Sequence, residues 1–228
     1  MDLLEIISWI AILVGIVQAI IITIDVLRFP QKMMPIMNIV WPLTGLYFPI
    51  IGMWAYYRLG RNSKNNENDH MDHHHHNHDD KPFWQSVFVS TTHCSSGCSL
   101  GDMIGAPIVF LTGFTIAGST LFADYTIEFI LAYIFGIAFQ YYGMGFKKQD
   151  NPGKALRNAV KADTLSLIAF EIGMFGWMGL SHYVFFTEAP TPNTAVFWFM
   201  MQIAMMLGFL TSYPANWLLV KKGIKHAM

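Results

Sequence analysis

Residues 3–27 form an almost uninterrupted apolar run, with Glu5 and Asp25 as its only ionisable residues. A helix of about 20 apolar residues matches the hydrocarbon thickness of a bilayer, so this run is long enough to cross one. Asp2 and Glu5 stand where a secretory signal would be basic, and the run is too long for such a signal. It therefore reads as a retained span. Runs of the same kind recur at 36–57, 100–122, 126–146, 163–186 and 195–220. The chain is 54% hydrophobic and 13% charged, against about 25% charged in soluble domains. The expected fold class is all-α, a polytopic transmembrane helix bundle of about six spans. Pro42 and Pro49 predict a kinked second span, tolerated where neighbouring side chains satisfy the freed carbonyls.

Three segments follow from this pattern. Residues 1–60 make an N-terminal two-helix membrane segment. Residues 61–82 are a hydrophilic stretch with six His between His70 and His78; it has too little to bury and reads as a disordered loop. Residues 83–228 form a four-helix membrane core. The apolar stretch 83–92 is short and is expected to lie at the interface or to re-enter. Lys and Arg concentrate on the cytoplasmic side of membrane proteins. Six spans with a cytoplasmic N-terminus leave only Arg28 and Lys32 outside, so both termini are expected in the cytoplasm. The net charge of −1 gives no basis for nucleic-acid binding. The expected partners are the lipid bilayer and a metal ion, and the pattern does not encode an oligomeric state.

The densest chemistry is His93-Cys94-x-x-x-Cys98. Residues four apart share a helical face, so both sulfurs can reach one ion. Soft thiolates select Cu(I), zinc or iron–sulfur centres, and a two-thiol set places Cu(I) ahead of zinc. His93 points about 100° away on an ideal helix and needs a local break to join; Gly97, Ser95, Ser96 and Ser99 could supply one. Asp102 stands one turn beyond Cys98 as an auxiliary. Glu171, Met174, Met178 and His182 recur at i, i+3, i+7 and i+11, a stripe of carboxylate, thioethers and imidazole that could line an ion path. Packing explains a pair of small Cys residues and gap-filling Met equally well. A third reading is a thiol oxidoreductase in which Cys94 and Cys98 cycle between dithiol and disulfide, and a fourth is a structural or assembly protein without a site. Neither an H-E-x-x-H helix, a P-loop nor a C-x-x-C-H haem attachment occurs, so no enzyme motif is apparent.

From about Phe83 to the C-terminus the chain resembles an uncharacterised prokaryotic family of multi-pass membrane proteins. The resemblance rests on Thr92-His93-Cys94-x-x-Gly97-Cys98-x-Leu100-Gly101-Asp102, on Lys161-Ala162-Asp163-Thr164-Leu165-Ser166, on Trp198-Phe199-Met200-Met201-Gln202, and on Tyr213-Pro214-Ala215-Asn216-Trp217 with Gly223-Ile224-Lys225. It implies a prokaryotic membrane location and brings no activity with it; the membrane expected for the chain is the inner (plasma) membrane.

Overall fold

A computed structural model describes residues 2–31, 34–61, 82–143 and 152–225. Among the described residues all regular structure is helical, apart from one isolated bridge between Ile116 and Ser119. The helices are α1 (Leu3–Arg28), α2 (Met37–Tyr47), α3 (Ile51–Ala55, running into a π turn at Tyr56–Gly60), α4 (Phe83–Thr112), α5 (Thr120–Gly143), α6 (Pro152–Leu180, with a π turn at Ser181–Phe185) and α7 (Ala195–Lys221). Five of them, α1, α4, α5, α6 and α7, are long and apolar enough to cross a membrane. Their outer faces leave large apolar side chains uncovered, among them Leu13, Val17, Ile20, Ile130, Ile134, Ile168 and Ile172. A belt of that kind is stable against lipid and not against water. The fold is an all-α, polytopic transmembrane bundle. The His-rich stretch lies outside the described residues.

The second apolar run does not make a single crossing helix. Pro49 has no N–H to give to the Gly45 carbonyl, and α2 stops at Tyr47. Ile50 takes a left-handed backbone (φ 66°), a strained state for a β-branched residue. The chain then folds back: a Cβ at Gly52 would sit 2.8 Å from the Thr44 carbonyl oxygen, and Gly60 lies against the Trp41 ring. The orphaned groups at the tip are claimed by glutamine side chains. Gln18 Nε2 donates to the Gly45 carbonyl (3.2 Å), the Ile50 N–H donates to Gln18 Oε1 (2.7 Å), and Gln202 Nε2 donates to the Leu46 carbonyl (3.0 Å). Neighbouring side chains thus satisfy the Gly45 carbonyl that Pro49 frees and the Leu46 carbonyl beside it. At the exit, Tyr56 donates to Asp25 Oδ2 (2.9 Å), and Arg61 pairs with the same carboxylate (3.1 Å). The Gln31 amide donates to the Gly60 carbonyl.

The hairpin therefore enters and leaves at the end of the bundle where α1 finishes. The expectation of two crossings before Phe83 gives way to one crossing and a folded-back pair. As a result the start of α1 and the end of α7 lie at opposite ends of the bundle, whereas six crossings would have placed them at the same end. Phe83 at the start of α4 packs on Trp217 near the end of α7, with ring centroids 4.7 Å apart. Arg28, Arg58, Arg61, Lys154, Arg157, Lys161, Lys221, Lys222 and Lys225 all lie toward this one end, hereafter the basic end.

The stretch 83–92 is also not separate. It is the first third of α4, which runs unbroken through the Cys motif to Gly113, whose left-handed backbone (φ 63°) closes the helix by donating to Val109 O. Every residue from Ser90 to Ser99 is buried. Side chains this small let α5 approach closely. A Cβ at Gly97 would lie 2.9 Å from Gly136 Cα, one at Gly101 would overlap the Ala132 backbone, and one at Gly105 would lie 2.8 Å from Glu128 Cγ. This is small-residue packing of the kind that drives helix association in lipid. Overpacking costs about 1–3 kcal/mol, so Gly101→Leu is expected to lower thermal stability in detergent clearly. Gly176→Ala is the control: nothing lies within 4 Å of the added methyl, and its melting temperature should hold or rise.

Candidate functional site

The unbroken course of α4 places Cys94, Cys98 and Asp102 four residues apart on one face, with no water to compete for their contacts: all three are fully buried. Both thiols are free, and each lies within side-chain hydrogen-bonding reach of the other. Cys94 Sγ donates to Asp163 Oδ1 on α6 (2.9 Å) and lies 3.0 Å from Ser166 Oγ, one turn further along α6.

Behind Asp163 stands a buried cation. After α7 ends, Gly223 takes a left-handed backbone (φ 66°), and the N–H groups of Ile224 and Lys225 both donate back to the Leu219 carbonyl. This turn carries Lys225 into the bundle. Its Nζ donates to Asn216 Oδ1 (2.8 Å) and lies 3.6 Å from Asp163 Oδ1, with both charged side chains essentially inaccessible. Asn216 Nδ2 donates in turn to Ser166 Oγ (2.6 Å), closing a ring of Cys94, Asp163, Lys225, Asn216 and Ser166. Gly136 makes the room, since a Cβ there would sit 2.7 Å from Asp163 Oδ2.

The remaining sequence candidates are distributed differently. His93 is fully buried with neither ring nitrogen bonded to a partner, and its ring faces Phe139 of α5 at 6.3 Å. The break that would bring it to the thiols does not form, because Gly97 serves the contact with α5 instead. Asp102 lies within electrostatic reach of Glu128 on α5 and Glu171 on α6, and neither Asp102 nor Glu171 has a hydrogen-bond partner. Met174 is fully buried among Leu167, Phe170, Met201 and Met205, a packing role. Met178 and His182 line a cleft of about 40 Å³ at the end opposite the basic end, together with Asp124, Tyr125, Glu128 and Ser181. The Glu171–Met174–Met178–His182 stripe is thus divided between core and cleft. Among the described residues no three His, Cys, Asp or Glu side chains converge closely enough to hold a metal ion together.

Asp163, Ser166, Asn216 and Lys225 were not among the metal candidates on sequence grounds. Asp163 alone looks like a helix-start carboxylate, and Lys225 looks like one more basic residue after a span. Their only common signal is that each belongs to a segment carrying the family resemblance, and the structure brings three of those segments to one point.

The architecture defines a polytopic helical membrane protein with a buried polar centre. The chain belongs to the family described as a domain of unknown function (DUF4396), whose model matches residues 83–225. Searches against curated proteins and against solved structures return no significant match.

Removing one partner of a buried ion pair costs about 3–5 kcal/mol, whereas replacing both can be neutral. Lys225→Met and Asp163→Asn should each strongly destabilise the protein in detergent, and the double variant should recover most of the loss. Additive losses in that cycle would show that the two residues do not act as a pair.

Proposed function

We propose that this protein captures a soft monovalent cation, Cu(I), on Cys94 and Cys98 inside the membrane, for transport, tolerance or delivery. The observation that carries the reading is the Cys94 thiol held at 2.9 Å from the Asp163 carboxylate, beside a second free thiol on the same helical face. Thiols bind metal as thiolates, so capture releases protons, and a carboxylate in direct contact can accept one of them. Two thiolates suit the low coordination numbers of Cu(I) and fall short of the four ligands of structural zinc. Lys225 supplies positive charge next to the thiolate that would form, in a region where an uncompensated anion is expensive.

The test is Cu(I) titration under reducing conditions on protein lacking residues 65–79, which removes the competing imidazoles. Wild type should bind one Cu(I), and Cys94→Ser, Cys98→Ser and the double variant should each lose it. Equal binding by all four would reject the site. Loss of a cellular phenotype in the Cys variants with copper binding intact would favour the thiol-oxidoreductase reading.

The orientation we infer places the basic end in the cytoplasm of a plasma membrane and the N-terminus outside. The nine described Lys and Arg residues at that end support it. The other five (Lys32, Lys64, Lys81, Lys147 and Lys148) fall in sequence between segments whose described ends lie there too. A fluorescent protein fused at the C-terminus should light up, and an N-terminal epitope should be cleaved by protease added to spheroplasts. An epitope protected from protease would restore a sixth crossing.

A further inference from the structure

The half of the bundle opposite the basic end holds ionisable groups that thiol chemistry does not use. Asp124 and Glu128 lie four apart on α5, so both face the same way. Glu128 is buried and packs on Gly105 of α4, three residues beyond Asp102. Asp102 is fully buried with both oxygens unbonded, and Glu171 on α6 is 3% exposed with both oxygens unbonded. The three are mutually within electrostatic reach, and Glu128 is within reach of Asp124 as well.

The carboxyls also have a way in. Glu128 and Asp124 line the cleft of about 40 Å³ with Tyr125, Ser181 and His182. A cavity of about 10–15 Å³ on this measure holds one water, so this one has room for more than one. Ser181 Oγ is buried at the cleft wall without a hydrogen-bond partner, which leaves it free to bond a water there.

Ionisable residues at membrane depth are costly, and carboxylates without a cation or a donor are the costliest. Two kinds of ligand relieve that cost. A metal or alkali cation needs several ligands at once, and among the described residues no three His, Cys, Asp or Glu side chains converge to provide them. A proton needs one oxygen at a time, and spaced carboxyls of which one, Glu128, opens on the cleft provide that. We propose that Glu128, Asp102 and Glu171 form a proton-exchange site in the bundle interior, loaded with protons from water in the cleft past Asp124 and His182. The transfer moves no electrons: hydronium in the cleft gives a proton to a Glu128 carboxylate oxygen and is left as water, and, because neither Asp102 nor Glu171 is hydrogen-bonded to Glu128, the proton passes on to one of them through an intervening water. The groups facing this site are Asp124, Tyr125 and Glu128 from α5, Cys98 and Asp102 from α4, Glu171 from α6 and His182 from the π turn that follows it. The inference goes beyond the copper reading and does not depend on it.

Infrared difference spectroscopy of the full-length protein in liposomes tests it through the carboxyl C=O band, recorded between acid and alkaline pH and after exchange into D2O. Wild type should show a pH-dependent band from carboxyls in an apolar setting that shifts in D2O. Glu128→Gln, Asp102→Asn and Glu171→Gln should each remove part of it, while Cys94→Ser/Cys98→Ser should keep it. Ser181→Phe, which fills the cleft, should slow the D2O shift several-fold. Asp124→Asn, an isosteric change at a partly buried position, should slow it as well. A wild-type band that ignores pH, one that responds to added sodium instead, or full retention in all three interior variants would overturn the proposal. An unslowed D2O shift in both cleft variants would overturn the assigned entry route. Loss of copper binding by the Cys variants reads the other proposal separately.

Discussion

Everything else in this bundle depends on how closely α4 and α5 can approach. In lipid there is no hydrophobic gain from bringing two helices together, because lipid tails are as apolar as leucine. Association then relies on dispersion contact and on polar groups that find partners. Gly97, Gly101 and Gly105 on α4 meet Gly136, Ala132 and Glu128 on α5 at backbone contact distance. That contact holds α4 at the centre of the bundle and buries its run of Ser, Thr, His and Cys. Several of these hydroxyls are satisfied within the helix itself, as Thr91 and Thr92 bond the carbonyls of Val87 and Phe88. A polar helix can therefore be the most enclosed part of a membrane protein, provided its residues are small enough for its neighbours to close around it.

The same contact divides the interior into two chemical halves. Toward the basic end, Cys94, Asp163, Lys225, Asn216 and Ser166 form a bonded ring with its charges compensated. Toward the opposite end, Asp102, Glu128 and Glu171 carry carboxyls without bonded cations. Cys98 lies between them, within reach of both Cys94 and Glu171. On the two proposals above, thiols that take up a cation must dispose of their protons, and Cys94, Cys98 and Asp102 on one face of α4 lead from the thiols toward the carboxyls, with the buried Lys225–Asp163 pair at the basic end.

How far the fold could be read from the sequence depended on side-chain size and spacing. Helices 1, 5, 6 and 7 carry long apolar runs, and their existence follows from hydropathy alone. The second run was equally apolar yet folds back, because Pro49 withholds the one N–H that would have continued the helix. Only long-range partners, Gln18 and Gln202, decide whether the freed carbonyls are satisfied at a kink or at a hairpin tip. The start of α4 is hard to read from sequence for the opposite reason: Ser, Thr, Gly and His lower its hydropathy, although burial against α5 suits their size. The Cys94–Cys98 pairing was legible because both residues lie on one helix at a fixed spacing. The ring around it was not, since Asp163 and Asn216 come from different helices and Lys225 arrives through a turn made by Gly223.

Lys225 also shows why charge counts alone mislead at membrane boundaries. It adds to the basic bias that orients the chain, yet its ammonium is among the most buried groups in the bundle. Burying an ammonium is unfavourable unless it is paired and hydrogen-bonded, and Asp163 and Asn216 meet both conditions. In return, Lys225 makes Asp163 tolerable at the same depth, and Asp163 holds the Cys94 thiol in place. Of these three residues, only the cysteine looked functional on its own, but its position is set by an ion pair whose two members lie on either side of the last membrane helix in the sequence. The environment of the Cys94 thiol can therefore be altered from the turn after α7, which does not touch the sulfur, because the contacts run from Cys94 through Asp163 to Lys225.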